Sequence, residues 1–389
     1  MFRIRTMNKI SPLGLEMFPR TRYEVASELP NPHAILVRSA DMHSIEIPDS
    51  VLAIARAGAG INNIPVARCS EKGVVVFNTP GGNANAVKEL VLASLLLASR
   101  GITEGIGWTA SIADRASEVP DLVEKEKARF QGPELRGKVL GVVGLGAVGV
   151  MVANDAVALG MDVIGYDPYI SVDAAWNLSR EVARADTLEG LLGKADYITL
   201  HIPLVEATRG LLSAEKVRFM KKGARLVNLA RGALVNEADI IEALHSEKLA
   251  VYVTDFPSAE LLACKKAICI PHLGASTPEA EDNCAIMAVK QLMDFLENGG
   301  IRNSVNYPRC RLERRAPCRL LVTNRNIPNM VGQITTILAA ESINITDLIN
   351  HHRDGFAYNI IDSDQQISES ALEQLQQVDG IIRVRVIEN

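Results

Sequence analysis

Residues 138–168, KVLGVVGLGAVGVMVANDAVALGMDVIGYDP, decide the fold of this chain. The apolar run 139–143 leads into Gly144, Gly146 and Gly149, and a helical pattern follows. Gly144 permits a tight turn, Gly146 lets the backbone come close to a pyrophosphate, and Gly149 allows the helix to pack closely on the strand. The first turn of that helix offers free N–H groups and the positive end of its dipole to the phosphates. The stretch predicts a dinucleotide-binding turn, and a glycine-rich turn without a ligand is the alternative.

Asp167 closes the next predicted strand, 18 residues after Gly149. A carboxylate at this place can accept hydrogen bonds from the hydroxyl groups of a ribose. It would repel a 2′-phosphate, and no arginine follows it directly, so NAD is favoured over NADP as the cofactor. The alternative is an aspartate that only forms the turn before Pro168.

The same alternation of strands and helices continues on both sides of this stretch. Strands separated by helix-length segments run through residues 1–80 and again through 138–273, which is typical of parallel α/β layers. A long helical pattern follows from Thr277 to about residue 298. The last 70 or so residues read β-α-β-β-α-β, the ferredoxin-like order. We therefore predict two Rossmann-like, doubly wound parallel-sheet domains and a C-terminal ferredoxin-like α+β domain.

Composition excludes several classes of protein. The 389 residues are 48% apolar and 22% charged, with a net charge of −5, as in ordinary globular proteins. Binding to nucleic acid is not expected without a basic excess, and aromatic residues make up only 4%. No run approaches the roughly 20 apolar residues of a membrane helix. The six cysteines are scattered, which indicates free thiols in a reducing compartment, and we expect a soluble, cytoplasmic protein without a metal.

Three polar elements follow predicted strands of the second series. Arg231 comes directly after one strand, and its planar fork suits a carboxylate or a carbonyl oxygen. His272, in PHLGAST, can protonate the alkoxide that hydride transfer to a ketone creates. A carboxylate on the other ring nitrogen would orient that imidazole, and Glu260, five residues after Asp255, can fill this role. Taken singly, each of these residues also fits a structural or solvent-exposed role.

Several motifs together resemble one known family. They are RAGAG at 56–60, NTP at 78–80, the glycine motif with Asp167, RG at 231–232, Asp255 and PHLGAST at 271–277. The chain resembles the D-isomer-specific 2-hydroxyacid dehydrogenases, and among them the members that act on 3-phosphoglycerate. The resemblance implies the catalytic residues Arg231, Glu260 and His272. The sequence departs from the family pattern around Glu260, because no proline follows this residue and it lies close to His272 in sequence.

The resemblance also implies the ligand contacts. The implied NAD contacts are Gly144, Gly146, Val148, Gly149, Asp167, Ala230, Asp255 and His272. The implied substrate contacts are Arg38, Arg56, Asn78 and Arg231. Arg38 and Arg56 end predicted strands of the first series, where the family binds the substrate phosphate; solvation of strand ends is the alternative.

The C-terminal part resembles an ACT domain, a small module that commonly binds amino acids. The resemblance implies L-serine as an effector, held by Asn324, Asn326 and Asn344, although Asn324 stands where the family has a histidine. Turn formation alone is the other interpretation of these residues. The expected division is a discontinuous substrate-binding domain (1–92 and 283–305), a NAD-binding Rossmann domain (93–282), a solvated linker (306–317) and the ACT domain (318–389).

The expected activity is NAD-dependent oxidation of 3-phosphoglycerate to 3-phosphohydroxypyruvate, the first step of L-serine biosynthesis. One alternative is another D-2-hydroxyacid dehydrogenase, such as a hydroxypyruvate or glyoxylate reductase. A second is a non-catalytic regulator that senses NAD. The resemblance further implies a small-molecule substrate and a homodimer or homotetramer.

Overall fold

The computed structural model describes residues 1–388 of the chain. The chain forms two compact units, the first made of Met1–Asn83 together with the chain from Pro278 onward, and the second of Ala84–Thr277. They contain two parallel sheets and one antiparallel sheet. The predicted fold class is confirmed.

The first unit opens with a five-stranded parallel sheet in the order β2-β1-β3-β4-β5. Its strands are β1 (Phe2–Met7), β2 (Tyr23–Ala26), β3 (Ala34–Val37), β4 (Ala53–Arg56) and β5 (Val75–Phe77), and its helices are α1 (Pro12–Leu15) and α2 (Val66–Glu71). All residues of β3 and β5 are buried. Such continuous apolar runs are expected where both faces of a parallel sheet are covered.

The second unit contains a seven-stranded parallel sheet in the order β12-β11-β10-β9-β6-β7-β8. Its strands are β6 (Val139–Val143), β7 (Asp162–Tyr166), β8 (Ala183–Arg184), β9 (Tyr197–Leu200), β10 (Ala224–Asn228), β11 (Leu249–Thr254) and β12 (Ala267–Cys269). Its α-helices are α3 (Ala84–Ser99), α4 (Ile102–Ser111), α5 (Val119–Glu126), α6 (Ala147–Ala158), α7 (Val172–Asn177), α8 (Leu188–Lys194), α9 (Ala214–Val217), α10 (Glu237–His245) and α11 (Ala259–Ala263). Short 3₁₀ turns lie at Ala113–Glu118, Lys127–Phe130, Glu206–Thr208 and Gly232–Leu234. The strand order changes direction beside β6, which is where a doubly wound sheet binds its ligand.

The rest of the first unit begins with a long helix and ends in an antiparallel sheet of order β14-β15-β13-β16. Its helices are α12 (Pro278–Asn298), α13 (Met330–Ala340) and α14 (Glu369–Gln377), and its strands are β13 (Cys318–Arg325), β14 (Ile345–Arg353), β15 (Phe356–Ser363) and β16 (Ile381–Glu388). The order of elements and strands is ferredoxin-like, as the ACT resemblance implies.

This C-terminal sheet is not a separate body, which differs from the expected division. Leu321, Tyr358 and Ile360 share one apolar core with residues of the first sheet and of α12. The segment 306–317 is not a solvated linker either, because Tyr307 and Cys310 are buried. The arginines and prolines of this segment suggested a solvated stretch, but its apolar residues lie inward.

The expected boundaries between the substrate-binding and NAD-binding domains, at 92/93 and 282/283, fall inside α3 and α12. The compact units instead divide at 83/84 and 277/278. Each helix therefore lies whole within one unit, α3 in the second and α12 in the first. This is expected, because the hydrogen bonds of a helix join residues close in sequence.

Residues 1–388 contain neither a single membrane-spanning helix nor a cluster of metal-ligating side chains. No single helix there is long and apolar enough to cross a membrane; only α3 and α4 together, bent by 69°, reach that length and composition. No group of three or more metal-ligating side chains occurs within the same residues.

Candidate active site

The glycine turn after β6 has the geometry that a dinucleotide needs. Gly144 has a φ of +93°, and an added Cβ would lie 2.6 Å from the carbonyl oxygen of His201. A Cβ at Gly149 would lie 1.9 Å from the Gly144 carbonyl oxygen. At Gly146 a Cβ would meet nothing within 4 Å, so this glycine borders open space. Packing therefore requires glycine at 144 and 149, while Gly146 leaves room for a ligand against the backbone.

The helix after this turn presents its N-terminus to the same space. α6 begins at Ala147, and its N-cap, Gly146, has no side chain to bond the first N–H groups. Val148 lies in this first turn. Free N–H groups and the helix dipole attract a phosphate at such a place.

Asp167 lies at the end of β7 beside the glycine turn. Its Oδ2 accepts a hydrogen bond from the N–H of Leu145 at 2.8 Å, and its Oδ1 accepts one from the N–H of Tyr169 at 2.8 Å. The carboxylate is therefore fixed next to the turn, where a ribose beside the pyrophosphate can reach its remaining lone pairs. The geometry fits the predicted role.

Arg231 is held by a buried residue that the sequence interpretation missed. The side chain of Asn228, at the end of β10, donates to the Arg231 carbonyl at 2.9 Å and accepts from the Ala230 N–H at 3.2 Å. Asn228 is fully buried, whereas the Arg231 side chain is exposed. A polar residue closing an apolar strand is the signal that could have identified Asn228.

Asp255 is a buried carboxylate without a partner of its own. It is 1% exposed at the end of β11, and neither side-chain oxygen has a hydrogen-bond partner within residues 1–388. Burial raises the pKa of the Asp255 carboxyl, and the nearby positive charges of His272 and Arg231 oppose that rise. An orphaned buried acceptor beside His272 fits an amide such as the carboxamide of a nicotinamide.

His272 is exposed, and the ring of Phe256 packs edge-on against it at 4.9 Å between centroids. Glu260, the expected partner of its imidazole, lies in the first turn of α11 and is exposed. No hydrogen bond or ion pair in the described part of the chain joins Glu260 to His272. The charge of His272 instead acts on Asp255, where it opposes the rise in the pKa of that carboxyl. The pairing of Glu260 with His272 therefore stays a prediction.

His201, which follows β9, has a structural partner. Its Nε2 lies 3.0 Å from the hydroxyl of Thr199, and burial lowers the pKa of the His201 imidazole to about 4. This ring is neutral near pH 7 and does not share the role proposed for His272.

In the first unit, the three predicted substrate residues meet at the carboxyl edge of the first sheet. Val37 pairs in register with Arg56, and the Nε of Arg56 donates to the carbonyl oxygen of Arg38 at 2.9 Å. Asn78, just after β5, donates from Nδ2 to the Ala59 carbonyl at 2.7 Å. Two guanidinium groups thus lie on neighbouring strands of one sheet.

Two residues of α12 complete this edge and were missed from the sequence. The carboxylate of Glu281 forms an ion pair with the guanidinium of Arg38. Gln291 donates from Nε2 to the Asn78 carbonyl at 3.0 Å, and its own Oε1 is buried without a hydrogen-bond partner among residues 1–388. The sequence shows that Glu281 lies early in a predicted helix. It does not show the contact with Arg38, which is 243 residues away.

The three predicted effector residues differ in burial and in hydrogen bonding. Asn324 is 1% exposed, accepts from the Asn359 amide at 2.7 Å and donates to the Arg325 carbonyl at 2.7 Å. Asn326 and Asn344 are exposed. One N–H and one oxygen lone pair of the Asn324 amide are thus already used within the C-terminal part.

A comparison with protein families identifies the second unit. Residues 92–274 match the profile described as "D-isomer specific 2-hydroxyacid dehydrogenase, NAD binding domain". Together with the turn geometry, this match shows that the second unit is similar to the NAD-binding domain of that family, with NAD as its cofactor.

The similar curated proteins are D-3-phosphoglycerate dehydrogenases. The one from Methanocaldococcus jannaschii is 35% identical over 85% of this chain, and the one from Archaeoglobus fulgidus is 36% identical over 76%. The chain spans only 62% and 56% of the lengths of these two relatives.

Solved structures share the fold. The NAD⁺-bound 3-phosphoglycerate dehydrogenase of Entamoeba histolytica aligns with a TM-score of 0.59 at 24% identity, covering 78% of this chain and 98% of its own. The D-mandelate dehydrogenase of Rhodotorula graminis aligns with a TM-score of 0.62 at 24% identity, covering 76% and 94%. Proteins named for different substrates therefore share this fold.

Proposed function

We propose that this chain catalyses the NAD-dependent oxidation of 3-phosphoglycerate to 3-phosphohydroxypyruvate, the first step of L-serine biosynthesis. The observation that carries the proposal is the pair of guanidinium groups, Arg38 and Arg56, at one edge of the first sheet. A phosphate dianion suits such a pair, since guanidinium groups bind phosphate through parallel hydrogen bonds. A glyoxylate or lactate enzyme has less use for two extra cations. The named relatives support the same substrate.

The proposed roles divide between the two units. Bound NAD supplies the hydride acceptor. His272 takes the proton from the hydroxyl group on C2 while C2 loses its hydride, and Arg231 binds the carboxylate and polarises the C2 oxygen. Glu260 steadies the imidazolium of His272, as the resemblance implies, and Asp255 would accept a hydrogen bond from the carboxamide of a bound nicotinamide. Arg38 and Arg56 bind the phosphate, and Asn78 lines the same sheet edge.

The proposal is tested in the reducing direction. Purified protein is supplied with NADH and one of three ketones: 3-phosphohydroxypyruvate, hydroxypyruvate or 2-oxoglutarate. We expect the highest kcat/KM with the phosphorylated ketone. A preference for hydroxypyruvate would keep the chemistry and overturn the substrate, and the absence of turnover with all three would favour an NAD-sensing regulator.

A hydroxypyruvate or glyoxylate reductase is the second candidate. The ion pair between Glu281 and Arg38 favours it, because that carboxylate cancels one of the two charges available to a phosphate. The same three-ketone comparison separates the two functions.

We also propose L-serine as an effector, a homodimer or homotetramer, and a cytoplasmic location. The residues that would hold the serine are Asn324, Asn326 and Asn344. Addition of L-serine to the assay tests the effector, and analytical ultracentrifugation measures the assembly. The six free cysteines, five of them buried, are consistent with a reducing compartment.

A further inference from the structure

Glu281 and Arg38 form an ion pair that fold stability does not explain. Their side chains are 40% and 37% exposed. Exposed ion pairs of this kind contribute little to stability, because water and salt screen them. Glu281 lies early in α12, where the helix dipole favours a carboxylate with or without Arg38. We therefore look for its role in the site that contains Arg38.

The carboxylate occupies a donor that the proposed substrate needs. Arg38 lies beside Arg56, whose Nε bonds the Arg38 carbonyl, so two positive charges share one edge of the sheet. Glu281 bonds the Nη2 of Arg38 and neutralises one of those charges. A carboxylate and a phosphate oxygen compete for the same face of a guanidinium group.

We propose that Glu281 is a specificity-determining residue: it acts as an internal anion that occupies Arg38 until the phosphate of the substrate displaces it. This inference rests on the proposed function, since it concerns the same phosphate site. A free phosphate ion, with no second point of attachment, must displace Glu281 by its own contacts alone. A phosphorylated 2-hydroxy acid also binds through its carboxylate, so it displaces Glu281 more readily. The pair thereby discriminates against inorganic phosphate.

The direct test measures the binding of inorganic phosphate to the full chain by titration calorimetry. The variant Glu281→Gln keeps the size of the side chain and removes its charge. We expect it to bind phosphate about tenfold more tightly than the wild type, from the loss of one nearby negative charge. The matched control is Glu279→Gln, an exposed glutamate of the same helical turn, which should bind phosphate nearly as the wild type does.

A double variant shows whether the effect passes through Arg38. Phosphate should bind both Arg38→Gln and Arg38→Gln/Glu281→Gln weakly, and their affinities should differ by much less than tenfold, because no guanidinium remains at residue 38 for Glu281 to occupy. Unchanged or weaker binding by Glu281→Gln alone would overturn the inference, because Glu281 would then position Arg38 instead of competing for it. Thermal melting of each variant confirms that it is folded.

Kinetics separate this inference from the proposed function. Glu281→Gln should lower KM for 3-phosphohydroxypyruvate and leave KM for hydroxypyruvate unchanged. A rise in KM for the phosphorylated ketone would contradict the displacement. If the wild type reduces none of the ketones, the proposed function fails, whereas the phosphate titrations still decide the role of Glu281.

Discussion

Asp255 and His272 follow β11 and β12, where we propose that the nicotinamide binds. Asp255 is buried without a hydrogen-bond partner among residues 1–388, while His272 is exposed. A buried ionised carboxylate lowers the free energy of unfolding unless it is paired. A ligand that donates a hydrogen bond to Asp255 would offset this loss. Glu260, on the outside of α11, bears no such cost.

The variant Asp255→Asn should stabilise the ligand-free protein at neutral pH. Burial raises the pKa of Asp255, so the folded state binds more protons than the unfolded state between the two pKa values. The contribution of Asp255 to unfolding free energy therefore falls as pH rises through that window and stays low above it. The gain of the variant, measured by urea unfolding, should be full at pH 7 and vanish toward pH 3. A gain that grew toward acid pH would contradict this account.

His272→Asn should remove the proton acceptor and leave NAD binding in place. General acid–base catalysis contributes about 10²- to 10⁴-fold, so kcat should fall within that range. NADH fluorescence titration should give a Kd close to that of the wild type. The control is His245→Asn, an exposed histidine in the last turn of α10. Undiminished turnover by His272→Asn would exclude its assigned role.

At the scale of elements, the strand–turn–helix from β6 to α6 was predictable because its signals are local. The contacts of the first sheet edge were not. Glu281 and Arg38 are 243 residues apart, and no spacing rule joins them. The bonding of Asn324 was hidden for a similar reason, since it depends on the register between β13 and β15, which places Asn359 beside it. Sequence patterns indicate which residues close an element, but partner choice is set by packing.

The glycines of the turn should respond differently to alanine. Gly144→Ala forces a Cβ into a positive φ and against the His201 carbonyl, so it should lower stability by about 1–3 kcal/mol. Gly146→Ala meets open space and should melt as the wild type does, yet bind NADH more weakly, since its methyl group occupies the place of the pyrophosphate. Equal NADH affinity of Gly146→Ala and the wild type would argue against this placement of the cofactor.

At the scale of the whole molecule, the C-terminal sheet is an integral part of the first unit. Arg319 is fully buried and bonds both carboxylate oxygens of Asp362, at 2.6 and 2.7 Å. Its remaining nitrogen donates to the carbonyls of Asn298, at the end of α12, and Leu312. One side chain therefore ties β13, β15, α12 and the segment expected to be a linker. Sequence patterns did not indicate this role of Arg319, because a buried arginine and a solvated one look alike in sequence.

Arg319→Met should be strongly destabilising. It leaves Asp362 as a buried, unpaired charge, and breaking such a pair costs about 3–5 kcal/mol. Urea unfolding measures the loss, and Arg319→Met/Asp362→Leu should recover much of it. The control is Arg315→Met, whose side chain is exposed beside Glu313 and should change stability little. A small loss for Arg319→Met would show that the C-terminal sheet does not depend on this pair.

The central claim is that the first unit recognises the phosphate while the second carries out hydride transfer. The measurement that tests it most directly is the ratio of kcat/KM for 3-phosphohydroxypyruvate to that for hydroxypyruvate, in the wild type and in Arg38→Gln. Loss of a charged hydrogen bond should lower this ratio about tenfold to a hundredfold. The control Arg22→Gln removes an exposed arginine of the same unit and should leave the ratio unchanged. A ratio that Arg38→Gln did not change, or an equal loss with both ketones, would contradict the account.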